Sequence, residues 1–312
     1  MTSNDPTTRG AAGPDASYAL LDGSASVPEG LAHQWDRERH IASDPTAEID
    51  ERLEAFGNIT DSEVGDTTLS RARNLEREMG LRQLYLKFDG GNPSGTQKDR
   101  IAFAQAMDAL RRGYDVITAA TCGNYGVAVA LAARFAGLRC VIHVPGSYHP
   151  RRQGEMIDLG AEIVAVEGDY EHAVEHSRAT ALDAEFFDAN PGGANTALQL
   201  QAYGEIAREI YDELRDAPAV VAVPVSNGTT LAGIYRGFLS LYRRGKTSRM
   251  PRIVAGSSHG KNPIVRSFRR GLPSCEDLDP GKIRETETNE PLINWHSIDG
   301  DLALDALSAT HG

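Results

Sequence analysis

The sequence predicts an α/β protein built on parallel sheets with helices on both faces. Three observations predict it. Apolar runs of four to six residues recur between Leu84 and Ala255. Most lack polar alternation, which marks strands buried on both faces. Nearly every run is followed by a longer segment of helical character, and a repeated strand–helix order demands parallel pairing with crossovers.

The elements follow in order. Residues 1–56 mix Gly, Pro, Ser, Asp and Ala with little periodicity and read as a flexible leader, with a short helix from Ile49 to Phe56. Leu75–Met79 reads as helix and Leu84–Phe88 as strand. A regular alternation then begins. Helix Asp99–Arg111 precedes strand Val116–Thr121, and alanine-rich helix Tyr125–Phe135 ends at Gly137 before strand Cys140–Val144. Helix Arg151–Leu159, closed by Gly160, leads to strand Glu162–Val166 and helix Glu171–Leu182. A long helix, Thr196–Leu214, precedes strand Val220–Val225, helix Leu231–Tyr242 and strand Arg252–Ala255.

Composition bounds the partners. The chain has 312 residues and a net charge of −12, so a phosphate backbone would be repelled and nucleic acid is excluded as an expected partner. No run approaches the roughly 18–20 apolar residues of a membrane span. Met1–Pro6 is polar and acidic, unlike a secretory or transit segment, so the cytoplasm is the expected location. Cys122, Cys140 and Cys275 form no C-x-x-C pair, which argues against both a disulfide framework and a zinc ribbon. The excess of acid with few lysines fits either a high-salt setting or a high-GC genome.

Three strand-following loops concentrate small and polar residues. The first runs Asn92-Pro93-Ser94-Gly95-Thr96-Gln97-Lys98-Asp99-Arg100. Lys98 is one of only five lysines among 32 basic residues. An amine, unlike a guanidinium, can lose its proton and attack a carbonyl. A lysine on a glycine-rich turn therefore suggests a Schiff base, with pyridoxal phosphate (PLP) as the usual aldehyde. A solvated lysine at a helix start is the plainer alternative, although the helix dipole disfavours a cation there. The second loop is Thr121-Cys122-Gly123-Asn124-Tyr125-Gly126, whose amides point at a prospective anion. A tight turn explains its glycines, but not Asn124 between them. The third is Ser226-Asn227-Gly228-Thr229-Thr230, at a helix start with two threonine hydroxyls, where a phosphate would sit. Capping would account for one hydroxyl.

The three loops in this order resemble the fold-type II PLP enzymes, the tryptophan synthase β family. Their lysine loop reads N-P-T-G-S-x-K-D-R and their asparagine loop S-S-G-N-T-G. Gly65-Asp66-Thr67-Thr68-Leu69 looks like the family's G-x-T-P-L, and Met156–Ile163 like its M-x-x-x-G-A-x-V. The resemblance covers about residues 60–260, and the wording of the lysine loop is nearest the threonine synthase branch.

The resemblance implies two doubly wound open-sheet domains with the cofactor in the cleft between them. One would hold residues 92–190; the other would combine 57–91 with 191–312. Lys98 would be the catalytic lysine. Asn124 would hydrogen-bond the ring hydroxyl, and Ser226, Asn227, Gly228, Thr229 and Thr230 would bind the cofactor phosphate. Thr121, Cys122, Gly123 and Tyr125 would hold the substrate carboxylate, through backbone amides and the Thr121 hydroxyl. The implied activity is that of a PLP-dependent lyase acting on an amino acid, by β/γ elimination or replacement. Conversion of O-phosphohomoserine to threonine is the first expectation. A serine/threonine dehydratase, an O-substituted-serine lyase of the cysteine synthase kind and a non-catalytic PLP-fold subunit are the alternatives.

Some departures stand out. The phosphate loop has one glycine where the family has several, Gln97 precedes the lysine, and Cys122 replaces a serine. Asp299–Leu304 resembles the segment before the family's last strands, and no match to the later segment that meets the pyridine nitrogen follows. A completing partner chain, a truncated gene or PLP held without that group would each account for this, and the resemblance separately implies a homodimer, which is common in the family. His172-Ala173-Val174-Glu175-His176 matches the inverted zincin pattern, but no third ligand accompanies it, so no metal is expected. A G-x-G-x-x-G fingerprint is absent, which disfavours a nicotinamide enzyme.

Overall fold

The structure, a computed structural model, describes residues 29–121, 123–146, 152–258, 260–283 and 292–312. Its centre is a four-stranded parallel sheet in the order β5-β4-β3-β6, made of β3 (Val116–Ala120), β4 (Arg139–Pro145), β5 (Glu162–Val166) and β6 (Phe187–Asp188). All five residues of β3 are buried, which is why the strand reads as an unbroken apolar run. Ile117 and Ala119 join the main core beside α5 (Asn124–Ala136), with Cys140, Ile142 and Val144 of β4. Thr118 and Ala120 face the other way, toward α7 (Tyr170–Asp183), where Thr118 Oγ1 lies 3.3 Å from Ser177 Oγ. Small residues dominate α5 because it is buried on nearly every side.

α4 (Lys98–Arg111) packs on α5, and α8 (Thr196–Leu214) packs on α4. α8 also lies against α9 (Thr229–Arg243), the crossover between the parallel strands β7 (Val220–Pro224) and β8 (Arg252–Gly256). The α8–α9 approach is close because glycines face each other. A Cβ on Gly233 would fall 2.5 Å from Tyr203 Cβ, and one on Gly237 would strike the Gly204 carbonyl oxygen. β1 (Leu69–Arg71) and β2 (Tyr85–Lys87) form an antiparallel pair around α3 (Arg73–Met79). α6 (Gln153–Asp158), α10 (Pro263–Arg269) and α11 (Gly300–Thr310) complete the described helices. None is long and apolar enough to cross a membrane.

Two sequence expectations need correction, and four elements after the leader had no expected counterpart. The flexible leader fails from Glu29 onward: α1 (Glu29–Ser43) and α2 (Ile49–Glu63) are full helices. Ala42, Phe56 and Ile59 belong to the main core, and the buried Arg52 donates to the Ala136 carbonyl at 2.8 Å. That places a cation at the C-terminus of α5, where the dipole favours it. Residues 1–28 lie outside the described residues. β6, two residues long, and β1, three, carry no readable period and had no expected counterpart. The helix expected from Arg151 begins at Gln153, with Arg151 outside the described residues. α10 and α11 had no expected counterpart.

Candidate active site

The lysine loop links β2 to α4, and its own side chains shape it. Asn92 Oδ1 accepts from the Gly65 amide at 2.9 Å, and its Nδ2 donates to the Asp89 carbonyl at 2.8 Å. The buried Asp99 accepts from the Ser94 amide at 2.7 Å, so the carboxylate closes the turn from inside the first helical turn. Burial pushes this carboxyl up to about 6, against the Ser94 hydrogen bonds. Arg100, also buried, donates to Asp89 at 2.8 and 2.9 Å and to Glu209 of α8 at 2.5 and 2.9 Å. Lys87 adds a second cation to Glu209. Burial alone would raise the Glu209 carboxyl, but hydrogen bonds and charge from Arg100, then Lys87, hold it at about 2. Asp99 and Arg100 are thus committed to the scaffold.

Lys98 is the first residue of α4 and is partly buried. Its Nζ makes no ion pair among the described residues and stands 6.0 Å from the centre of the Tyr203 ring. Tyr203 is fully buried, and its hydroxyl has no hydrogen-bond partner among the described residues. Its Cβ abuts Gly233, one helical turn past Thr229. Tyr203 therefore connects the lysine to the start of α9.

The asparagine loop leaves the carboxyl end of β3. Thr121 Oγ1 accepts from the Gly123 and Gly126 amides at 3.1 and 3.2 Å and so shapes the turn itself. The Tyr125 hydroxyl donates to the Ala189 carbonyl at 2.5 Å and accepts from Gln105. That side chain is buried and its hydroxyl already hydrogen-bonded to Ala189 and Gln105, so only the Tyr125 backbone remains for a carboxylate. Cys122 lies outside the described residues. Asn124 is exposed, and its Oδ1 accepts from Arg152 at 3.1 Å. Arg152 also donates to the Ser94 carbonyl at 2.9 Å, tying the asparagine loop to the lysine loop.

The phosphate loop joins β7 to α9. Gly228 has φ +95°, and a side chain there would meet the Asp299 carbonyl oxygen at 2.9 Å. The first intrahelical bond runs from Ala232 N–H to Gly228 O at 3.0 Å, so the amides of Thr229, Thr230 and Leu231 have no acceptor among the described residues. The Thr229 hydroxyl donates to Asp299 at 2.5 Å, which redirects one of the two hydroxyls expected to hold phosphate. The Thr230 hydroxyl has no partner among the described residues. The Ser226 carbonyl accepts from Asn262 and Ser297, and Asn227 O from the Asp299 amide, so the loop is braced by the chain after residue 260.

These groups fit PLP. An amine with no ion pair, a buried phenol with no hydrogen-bond partner beside it and a helix N-terminus with unused amides, each so among the described residues, match an aldehyde-bearing phosphate ester. A metal does not fit: among the described residues no three His, Cys, Asp or Glu side chains converge. His172 pairs with Asp169, whereas His176 turns to His143. A cavity of about 860 Å³ lies elsewhere, at the amino ends of β3 and β6, lined by Arg112, Tyr114, Arg178 and Phe187.

Parallel strands with a lysine loop, an asparagine loop and a phosphate-loop helix start define a PLP-binding class of α/β protein. Residues 60–311 match the family model described as pyridoxal-phosphate dependent enzyme, and the chain belongs to that family. It is 29% identical over 250 residues to the threonine synthase of Methanocaldococcus jannaschii, covering 80% of this chain and 60% of that protein. With the threonine synthase of Bacillus sp. it shares 30% over 203 residues, 65% of this chain and 56% of the other. The chain thus spans about six-tenths of the length of these relatives. Among solved structures, a tomato (Solanum lycopersicum) threonine deaminase superposes with TM-score 0.66 at 19% identity, over 85% of this chain and 70% of that one. A PLP-dependent aspartate racemase gives 0.65 at 19%, over 82% and 75%. At such identity these two show the fold alone.

Arg152, Tyr203 and Asp299 were not foreseen at the site. Asp299 stood in a segment already set apart by wording. Nothing local distinguishes Arg152 or Tyr203, whose places depend on contacts across the fold.

Proposed function

We propose that this chain is a PLP-dependent lyase of a small amino acid, and that O-phosphohomoserine, converted to threonine, is its substrate. The observation that carries the reading is the Lys98 amine, which makes no ion pair among the described residues and sits between the lysine loop and the start of α9. The cofactor phosphate would rest on the amides of Thr229 and Thr230 and on the Thr230 hydroxyl, where the helix dipole favours an anion. The Asn124 amide would meet the ring hydroxyl, and the backbone of 121–125 would hold the substrate carboxylate. Bound PLP would supply the electron sink for the pair left at the α-carbon. Lys98 would take the α-proton and return it, as general base and then acid. The buried Tyr203 ring, 6.0 Å from the Lys98 amine, would limit water on one side of it.

The two threonine synthases favour the phosphorylated substrate. The fold likeness to a threonine deaminase supports a second reading, dehydration of serine or threonine. Absorbance spectra of the PLP-loaded protein and of Lys98→Ala decide. A visible band that needs Lys98 and shifts with O-phosphohomoserine is the expected result. A shift with serine or threonine alone selects the dehydratase, and no Lys98-dependent band at all ends the enzyme reading.

A further inference from the structure

Arg152 holds both site loops at once. Its Nε and Nη2 donate to Glu155 at 2.9 and 2.6 Å, which fixes the plane of the guanidinium. Nη2 also reaches Ser94 O in the lysine loop at 2.9 Å, and Nη1 reaches Asn124 Oδ1 at 3.1 Å. Arginine carries donors and no acceptor. The Asn124 atom facing Nη1 must therefore be the oxygen, and the amide nitrogen is the other end. Among the described residues that nitrogen has no partner, and Asn124 is exposed. A free asparagine amide turns over readily and can offer either end. Here the guanidinium selects one.

We propose that Arg152 is a positioning residue: it fixes the Asn124 amide so that its N–H pair faces the cofactor, and it holds that amide in register with the lysine loop. The inference rests on the PLP reading above and adds to it a residue outside the recognised loops. The chemistry demands an oriented donor. The ring hydroxyl of PLP presents an oxygen, and a carbonyl oxygen turned toward it would repel its lone pairs. Glu155 completes the device by holding the fork in plane, so that Nη2, shared with Glu155, reaches Ser94 while Nη1 reaches Asn124. Lysine could not replace it, because one ammonium on a flexible stem lacks the planar fork.

The test is a double-mutant cycle read by PLP binding to the apoprotein, not by turnover. Arg152→Gln and Asn124→Ala are each expected to weaken PLP about tenfold, the loss of one charge-assisted or oriented hydrogen bond. If Arg152 acts through Asn124, adding Arg152→Gln to Asn124→Ala changes the affinity by less than about twofold. Both single variants should also shift the visible band in the same direction, while borohydride reduction still fixes the label to Lys98. Arg152→Lys serves where Arg152→Gln folds poorly, and it should lose most of the same affinity. Losses that multiply in the double variant overturn the inference while leaving the PLP reading intact. Full affinity in Arg152→Lys does the same. A wild-type protein that binds no PLP overturns the cofactor reading, and the inference with it.

Discussion

His143 is 1% exposed on β4, with its Nδ1 3.1 Å from His176 Nδ1 on α7 and its Nε2 without a partner among the described residues. One ring donates to the other, and a further proton has no acceptor. Burial, then the charge of His176, pushes the His143 imidazole down to about 4. In the unfolded chain it titrates near 6.5. The unfolded state therefore binds more protons across that window, and stability falls as pH drops from about 6.5 toward 4. Between pH 7 and pH 5 the loss is about 2 kcal/mol. The same residue's carbonyl accepts from the Thr121 amide at 3.0 Å, so the asparagine loop shares the sensitivity. Urea unfolding at the two pH values checks this. His143→Gln should flatten that pH dependence, and an unchanged slope would remove His143 as its cause. Lys98 and Asn124 could be proposed for the site from the sequence alone, because each is set in a run whose residue types are constrained together. His143 and Arg152 could not, since each acquires its role from a partner on another element.

Gly237 of α9 shows what a helix needs that its composition hides. Glycine in a helix interior costs about 1 kcal/mol against alanine, so propensity alone favours Gly237→Ala. The added methyl would strike the Gly204 carbonyl oxygen and approach Ala207 Cβ to 2.7 Å. Backbone on α8 cannot yield as a side-chain tip does. The expected outcome is a net loss of about 2 kcal/mol, the usual scale for overpacking. Thermal melting checks the sign, and a variant more stable than wild type would show that the helices part at little cost. The elements themselves were legible in proportion to burial. β3 and β4, packed on both faces, declared themselves as apolar runs. α1 had no expected counterpart and α2 was expected only over Ile49–Phe56, because the two bury few side chains, among them Ala42 and Phe56, behind otherwise charged surfaces.

At the scale of the whole molecule, one buried ion cluster spans the division drawn at residue 92. Thr67, Lys87 and Asp89 come from before it, Arg100 follows it, and Glu209 arrives from α8, 109 residues beyond Arg100. The lysine loop is therefore held between α8 and the β2 end by charge as well as by apolar packing. Nothing in the sequence pairs Arg100 with Glu209, because the contact exists only once α8 has docked. Such a cluster resists the removal of one member far more than its exchange for an apolar set, since the rest is left buried and uncompensated. Glu209→Gln should cost about 3 kcal/mol at pH 7, by leaving Arg100 and Lys87 without their shared anion. Because the folded carboxyl lies near 2 and the unfolded one near 4.5, wild-type Glu209 contributes its full stabilisation above about 4.5 and loses it as pH falls toward 2. The variant should thus lose most against wild type at neutral pH and converge with it in acid. Equilibrium unfolding of both proteins from pH 7 to pH 3 reads the convergence. Parallel curves at every pH would mean that the cluster does not tie α8 to the lysine loop by charge.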